Sequence, residues 1–469
     1  MKQIDLTNLF LPKKIEYTKD EVFDIAIVGA GVVGCAIFKE FSQNGAKTIL
    51  IEKENDILEG ASKGNSALLH TGFDAPEGSL ELECVKKGYE EFIKLKDDLN
   101  LQILKTSALV VAWNEEQEKK LEDIIQKGFR NGVKELRRID KNELLKKEPN
   151  LSKEARGAIL VEGESVIDAW SAPLAYLKEG VRYGGKLVFS HKVEDGEFDG
   201  EIWKIKTSRG EIKAKTIINS AGLYGDEVEK IRGGEGFRII PRKGQFLVYD
   251  KSAYDLINSI ILPVPTKRTK GVVVTKTAFG NILVGPTAED QESKTDSSTK
   301  KETLQFLQKK AYEIVPKLKE HSVTTVFAGL RPASDETFYR IEYDKEKEWI
   351  RVGGIRSTGL TGSLGIAKYI FELYGKSFEK KEPKHDAQKV PNISEFSKRD
   401  YEKLGFERIV CHCELVTDRE IKNALRGKCG AGTVGGLKRR TRAMMGRCQG
   451  FNCMADVVEM IKEAQNETK

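Results

Sequence analysis

The sequence predicts an α/β fold with an α+β cap: a parallel nucleotide-binding sheet, a β-rich substrate domain inserted into it, and a small helical domain after it. Three observations predict this. A β-α-β unit with a glycine-rich turn begins near residue 24; the strand-then-glycine pattern returns near residue 350 after a β-rich interval; and four of the seven cysteines close the chain as Cys411-x-Cys413 and Cys448-x4-Cys453. At 469 residues the chain is too long for one core and implies two or three domains.

The opening segment MKQIDLTNLFLPKKIEY holds a short LFLP-like apolar patch but no h-region or cleavage site of a signal peptide, and no run approaches the roughly 20 apolar residues that span a bilayer. The expected location is the cytoplasm. Lysine plus arginine (78) barely exceeds aspartate plus glutamate (72), so the formal charge of +6 is diluted over a long surface and argues for no nucleic-acid partner.

Residues 24 to 28, DIAIV, suit a buried parallel strand, and Gly29-x-Gly31-x-x-Gly34 follows at once, then a helical stretch through Phe41. Thr48 to Ile51 forms the second strand and ends on Glu52. In this Rossmann-type unit Gly29 permits the tight turn, Gly31 lets backbone approach a pyrophosphate, Gly34 lets helix pack on strand, and Glu52 can accept from ribose hydroxyls. Two amphipathic helices are expected between Gly78 and Gly132; Tyr89, Phe92 and Leu95 share a face of the first, and Leu121, Ile124, Ile125 and Phe129 share a face of the second.

From Leu187 the pattern becomes β, with a hairpin at Ser208-Arg209-Gly210 and a last strand running into Asn219-Ser220-Ala221-Gly222. Further strands are expected at Gln245 to Tyr249, Gly271 to Thr275 and Ile282 to Val284, closed by a helix carrying Leu304, Leu307, Ala311, Ile314 and Leu318 in phase. Strand Trp349 to Val352, a glycine-rich turn and a helix from Ile366 to Leu373 complete the nucleotide-binding unit. The expected domains are therefore 1–375 (nucleotide-binding parts at about 22–85, 150–235 and 326–375, cap at about 86–149 and 236–325), a linker at 376–408, and a cysteine domain at 409–469.

Clustered thiolates without a secretory signal point to metal or an iron–sulfur cluster rather than disulfides. Structural zinc also takes four cysteines, but its knuckles are usually C-x2-C, not C-x-C. Cys429 falls outside the spacing as a spare thiol, and Cys35 and Cys84 read as buried small residues. The run Lys438-Arg439-Arg440-x-Arg442 reads either as a solvated helix face or as a patch for an acidic redox partner or the cluster's negative charge. Thr417 and Glu420 form a capping-box pair that starts a helix.

One glycine fingerprint does not separate NAD from FAD, but an enzyme that reduces FAD with NADH usually carries two. A retained flavin is favoured. Several separated motifs then fall in a familiar order: VGAGVVG with Glu52, Asn65-Ser66-Ala67-Leu68-Leu69-His70-Thr71-Gly72, Asn219-Ser220-Ala221-Gly222-Leu223, Gly285 to Asp290, Gly329-Leu330-Arg331-Pro332, and Gly354-Ile355-Arg356-Ser357-Thr358-Gly359-Leu360-Thr361. With these, residues 22 to 375 resemble the D-amino-acid oxidase family of FAD oxidoreductases, within it the glycerol-3-phosphate and L-2-hydroxyglutarate dehydrogenases.

The resemblance implies that the segment from Ser62 to His70, with Ser62, Asn65 and Ser66, runs along the flavin and its pyrophosphate, that Ala221, Gly222 and Gly354 lie near the cofactor, and that Gly359, Leu360 and Thr361 bring backbone N–H groups to the flavin's pyrimidine end. Val193 matches the position whose backbone reads adenine, beside an equally good reading as strand packing. Oxidising a secondary alcohol needs a base, and His70 suits that task; flavin attachment is its rival role. Arg331 offers a planar fork for an anionic group, with Arg356 and then Lys270 as further substrate contacts.

The turn from Ser357 to Thr361 lacks the lysine of a GGKLTT-like turn, and the His70 segment is closer to that of the hydroxyglutarate enzymes, so the phosphate substrate stays open. Residues 409 to 455 resemble the bacterioferritin-associated ferredoxin type of [2Fe–2S] domain found on some glycerol-3-phosphate dehydrogenase A subunits, which implies Cys411, Cys413, Cys448 and Cys453 as ligands.

The expected activity is oxidation of a small anionic hydroxy compound, sn-glycerol 3-phosphate first and L-2-hydroxyglutarate or an amino acid as alternatives. Electrons would leave through the cluster to a second redox subunit, another acceptor protein or quinone, with peripheral membrane association through a partner. From another class, the chain could be an electron-transfer subunit with a vestigial flavin site.

Overall fold

The computed structural model describes residues 17–233, 236–265 and 271–467. The LFLP patch and Lys270 lie outside the described residues.

The strand Val22–Val28 is buried on both faces because parallel neighbours flank it and helices cover it. It pairs in parallel with Thr48–Ile51 on one side and Gly210–Asn219 on the other; Lys186–Val188 and Trp349–Gly353 extend the parallel run, and three antiparallel strands complete eight. Val28 stands opposite both Ile51 and Asn219, so the carboxyl ends of these strands meet at one rim. That rim is where open α/β sheets bind ligands. Helices Val32–Gln43, Ser171–Arg182 and Gly359–Tyr374 pack into a core around Ile25, Ile27, Phe38, Phe41, Leu50, Tyr176 and Ile366.

The cap is a nine-stranded sheet dominated by the antiparallel pair Ile239–Tyr249 and Val323–Ser334, whose register sets Arg242 opposite Arg331 and Gly244 opposite Gly329. Its own core gathers Leu109, Tyr249, Ile261, Leu307 and Leu318. The expected helix through Leu318 stops at Ile314 and continues as a 3-10 turn, Pro316–Glu320, because the residue before a proline disfavours the α region.

Two boundaries shift between the units. The helix Leu80–Leu99, expected to pass into the cap from about residue 86, packs along its length on Gly359–Tyr374 and buries Cys84, Phe92 and Leu99 in the nucleotide-binding core. Gly88 makes this approach possible, since a Cβ there would overlap the Thr361 carbonyl. Conversely Gly157–Val161, expected in the nucleotide-binding part, pairs with Ala108–Ala112 and Leu136–Asp140 in the cap sheet. An all-apolar strand carries no mark of which sheet will bury it. Strands Ile103–Lys105 and Ala108–Ala112 also separate the two helices that were expected to follow one another.

The expected linker has little regular structure but is not a free tether. Val390 and Ile393 are buried, Asn100 Nδ2 donates to the Val390 carbonyl at 2.8 Å, and the Val390 N–H donates to the Leu99 carbonyl at 3.2 Å. It straps along the nucleotide-binding unit to the cysteine domain, a two-stranded ladder (Ile409–Cys411, Val416–Thr417) and helices Asp418–Leu425, Val434–Thr441 and Met454–Glu467. The Thr417/Glu420 capping box forms as expected. Among the described residues no helix is long and apolar enough to cross a membrane.

Candidate functional site

At the rim of the parallel sheet a cavity is lined by Gly29, Gly31, Glu52, Ser62, Asn65, Ser66, Ala221, Gly222, Gly354, Gly359 and Leu360. Gly29 has φ +101° and a Cβ there would sit 2.8 Å from the Ser220 carbonyl oxygen, so only glycine makes the turn. Gly34 does not line the cavity; a Cβ there would overlap the Gly29 carbonyl, which matches a packing role.

Glu52 accepts from the N–H groups of Ala30 (2.7 Å) and Glu54 (2.9 Å), while burial pushes its carboxyl up to about 7. Ser62 Oγ accepts from the Val32 N–H at 3.0 Å and ties the following loop to the first helix. Asn65 bridges the Ser62 carbonyl and the Ala67 N–H. Gly359 and Leu360 lie at the N-terminus of the helix Gly359–Tyr374, which starts with no side-chain cap and lends the cavity wall its positive end. A dinucleotide fits such a wall: a turn only glycine can make, a carboxylate at a strand end and an uncapped helix start.

Two expected contacts lie elsewhere. Thr361 is buried beneath the cavity, where its Oγ1 accepts from the His70 N–H (3.0 Å) and donates to the Leu68 carbonyl (3.2 Å), so it braces the histidine segment. Val193 lines no cavity described here; it pairs with Thr207 and packs on the cluster of Phe23 and Trp203.

A second cavity of about 1420 Å³ opens between this rim and the cap and is lined by His70, Arg242, Arg331 and Arg356 among others. Ser66, Pro286, Arg331, Arg356 and Ser357 line both cavities, so the two adjoin. Arg331 donates from Nη2 to the Thr287 carbonyl, and Gly244 across the strand pair leaves the room its guanidinium occupies. Burial, reinforced by Arg242, pushes Arg331 down to about 10, which leaves it a cation at neutral pH. Arg356 donates to Glu81 Oε2 at 2.6 Å and holds φ +51°, while its buried Nε makes no hydrogen bond. A strained backbone presenting an arginine to a cavity is typical of ligand clamps.

His70 Nδ1 lies 2.9 Å from Glu164 Oε2, and Glu164 Oε1 accepts from the Thr71 N–H (2.6 Å) and hydroxyl (2.9 Å). Glu164 is fully buried. A carboxylate accepting at Nδ1 fixes the imidazole tautomer and leaves Nε2 as the basic atom. Sequence reasoning missed Glu164, which sits in the turn joining Gly157–Val161 to Ser165–Ile167. The available signal was a glutamate held between an all-apolar strand and a second buried one.

In the cysteine domain the ligands meet in pairs. Cys411 lies beside Cys453 and Cys413 beside Cys448, with the backbone of Gly450, Phe451 and Asn452 next to Cys448 and that of Met444 next to Cys453. Two pairs of thiolates with backbone donors suit a two-iron cluster.

The basic run resolves as neither of its expected readings. Arg439, Arg440 and Arg442 are buried. Arg440 clamps the buried Asp56 with bonds of 2.9 and 2.7 Å, Gly432 N–H adds a third to Asp56, and Arg439 reaches Glu59 (2.6 Å) and the Ile57 carbonyl. Arg442 pairs with Glu414 at 2.5 Å and covers the Phe279 ring, while Arg447 grips Asp250 of the cap. The run docks the cysteine domain on the segment that leads from Glu52 to Ser62.

A parallel sheet with a dinucleotide rim, a cap cavity carrying a histidine and arginines, and a docked four-cysteine domain define a flavin-and-iron–sulfur oxidoreductase. The chain belongs to the FAD dependent oxidoreductase family, whose signature matches residues 24–373, and it ends in a BFD-like [2Fe-2S] binding domain at residues 409–463. Its cofactors are FAD and a [2Fe–2S] cluster.

More particularly, it is similar to a glycerol 3-phosphate dehydrogenase of Caloramator mitchellensis (36% identical over 450 residues, 94% of each chain). It is also similar to a glycerol 3-phosphate oxidase of Mycoplasma pneumoniae (29% identical, 77% of this chain and 97% of that one). The solved structure of dithionite-reduced L-alpha-glycerophosphate oxidase from Mycoplasma pneumoniae, with FAD bound, superposes with a TM-score of 0.75 at 28% identity, over 80% of this chain and all of that one.

Proposed function

We propose that the protein oxidises sn-glycerol 3-phosphate to dihydroxyacetone phosphate and delivers the electrons, through the cysteine-held cluster, to an acceptor protein. Bound FAD supplies the acceptor for the hydride leaving the carbinol carbon. His70 takes the hydroxyl proton at Nε2 while Glu164 holds Nδ1–H, and Arg331 and Arg356 bind the anionic end of the substrate. The observation that carries the reading is the partly exposed His70, held by the buried Glu164 and opening on the same cavity as Arg331 beside the dinucleotide rim.

Discharge to a protein rather than to oxygen is supported by the relative aligned along 94% of this chain, which is a dehydrogenase, whereas the oxidase spans 77%. L-2-hydroxyglutarate is the second reading, favoured by two cavity arginines that could each take a carboxylate. Anaerobic mixing of the FAD-loaded protein with either substrate tests both: bleaching by glycerol 3-phosphate is expected, bleaching by hydroxyglutarate alone selects the second reading, and no bleaching ends both.

A further inference from the structure

A third cavity, of about 840 Å³, takes no part in the chemistry described above. It lies where the helix Ser171–Arg182 of the nucleotide-binding unit, the strap near residues 384–403 and the helix Asp418–Leu425 with its following loop come together. Its wall is cationic and largely uncompensated. Lys178, Lys384, Lys389, Lys403 and Arg426 line it, and among the described residues none of them has a carboxylate within ion-pairing distance. Two cations of the same wall show the contrast: Lys186 reaches Glu21 at 2.8 Å and Arg440 clamps Asp56.

The two carboxylates that line the cavity are engaged away from these cations. Asp400 accepts from Arg419 at 3.0 Å and from the Thr417 hydroxyl at 2.7 Å, and Glu420 Oε2 accepts from the Thr417 N–H at 2.9 Å while its buried Oε1, without a hydrogen bond, faces Arg399 at 3.9 Å. Lys178 is half-buried; burial, opposed by Cys429 and assisted by the nearby Arg440 charge, depresses its ammonium below the usual lysine range, a cost that an anion in the cavity would relieve.

We propose that this cavity binds a small molecule carrying a diphosphate or triphosphate. Multivalent phosphate matches several ammonium and guanidinium groups that line one cavity, four of them on exposed side chains. The volume falls inside the roughly 300–1,000 Å³ range of small-molecule sites and is concave, which favours a nucleotide-sized anion over an acidic protein face. Because the wall is shared by the nucleotide-binding unit and the cysteine domain, the bound anion stabilises the docked arrangement by mass action.

Calorimetric titration of the full-length protein, loaded with FAD and cluster, with pyrophosphate and separately with ATP tests this. One saturable site per chain is expected, with binding on the order of tenfold or more weaker in Lys384→Glu/Lys389→Glu. These exposed strap lysines should leave cofactor content and the ligand-free melting temperature unchanged. Tighter binding of ATP than of pyrophosphate means that the cavity reads more than a diphosphate; equal binding means that two phosphates alone are read. Binding retained in Arg331→Ala separates the site from the substrate cavity. The proposal is overturned if neither probe saturates at millimolar concentration, if the double variant binds as wild type does, if Arg331→Ala abolishes the signal, or if only an acidic peptide binds.

Discussion

Replacing Glu164 by glutamine isolates the role assigned to the histidine pair. The carboxylate accepts three hydrogen bonds: the Thr71 N–H at 2.6 Å and the Thr71 hydroxyl at 2.9 Å on Oε1, and His70 Nδ1 at 2.9 Å on Oε2. In glutamine the carbonyl oxygen keeps both Thr71 bonds, so the amide NH₂ faces Nδ1. The imidazole must then accept at Nδ1 and carry its proton on Nε2, which removes the base from the cavity. General base catalysis contributes about 10²–10⁴-fold, and that range bounds the loss. The assay is anaerobic rapid mixing with glycerol 3-phosphate, following flavin bleaching. The expected rate constant falls by about 10²–10⁴ with little change in the substrate concentration at half-saturation. His70→Ala should cost as much, and the double variant no more than His70→Ala alone, because the two residues act as one unit. A Glu164→Gln rate close to wild type, or additive losses, would refute the reasoning.

Three further outcomes follow from the same geometry. Arg331→Ala should lower kcat/KM by about 2 kcal/mol or more, some 30-fold, and lysine should rescue poorly because it lacks the planar fork; the measure is steady-state kinetics over a substrate series. Glu52, raised to about 7 by burial, must ionise to accept from ribose hydroxyls, so FAD affinity of the stripped protein should rise with pH through about 7, and Glu52→Gln should flatten that dependence in fluorescence titration. The sign for folding is opposite: a raised carboxyl leaves the folded state binding more protons, so Glu52's contribution to the cofactor-free fold weakens between its unfolded value and about 7. Asp56→Asn strands the buried Arg440, a loss of about 3–5 kcal/mol at the interface; delivery of electrons to an external acceptor should slow while anaerobic bleaching by substrate keeps its rate.

Much of the site could be read from local pattern. The turn at Gly29–Gly34, Glu52 at a strand end and the paired cysteines each declare themselves within a few residues, because backbone geometry and ligand spacing are local constraints. What the sequence hid was long-range. Glu164 stands 94 residues from His70 and has no motif of its own, so its role exists only once Ser165–Ile167 pairs with Leu68–Leu69. The arginine run read as a solvated face or a partner patch because its actual partners, Asp56 and Glu59, lie some 380 residues earlier. Thr361 shared its motif with Gly359 but turns inward to the His70 segment, since successive residues of a helix point about 100° apart. The cap boundaries slipped because Gly157–Val161, apolar throughout, suits either sheet equally well.

The central claim is that substrate electrons enter at the flavin and leave through Cys411, Cys413, Cys448 and Cys453. Cys411→Ser, compared with wild type in one anaerobic experiment, tests it most directly: glycerol 3-phosphate is added first, then an acceptor protein, with flavin absorbance and iron content followed together. The account predicts that the variant loses iron, bleaches at the wild-type rate, and then fails to pass its electrons on. A variant that bleaches and discharges as fast as wild type would contradict it.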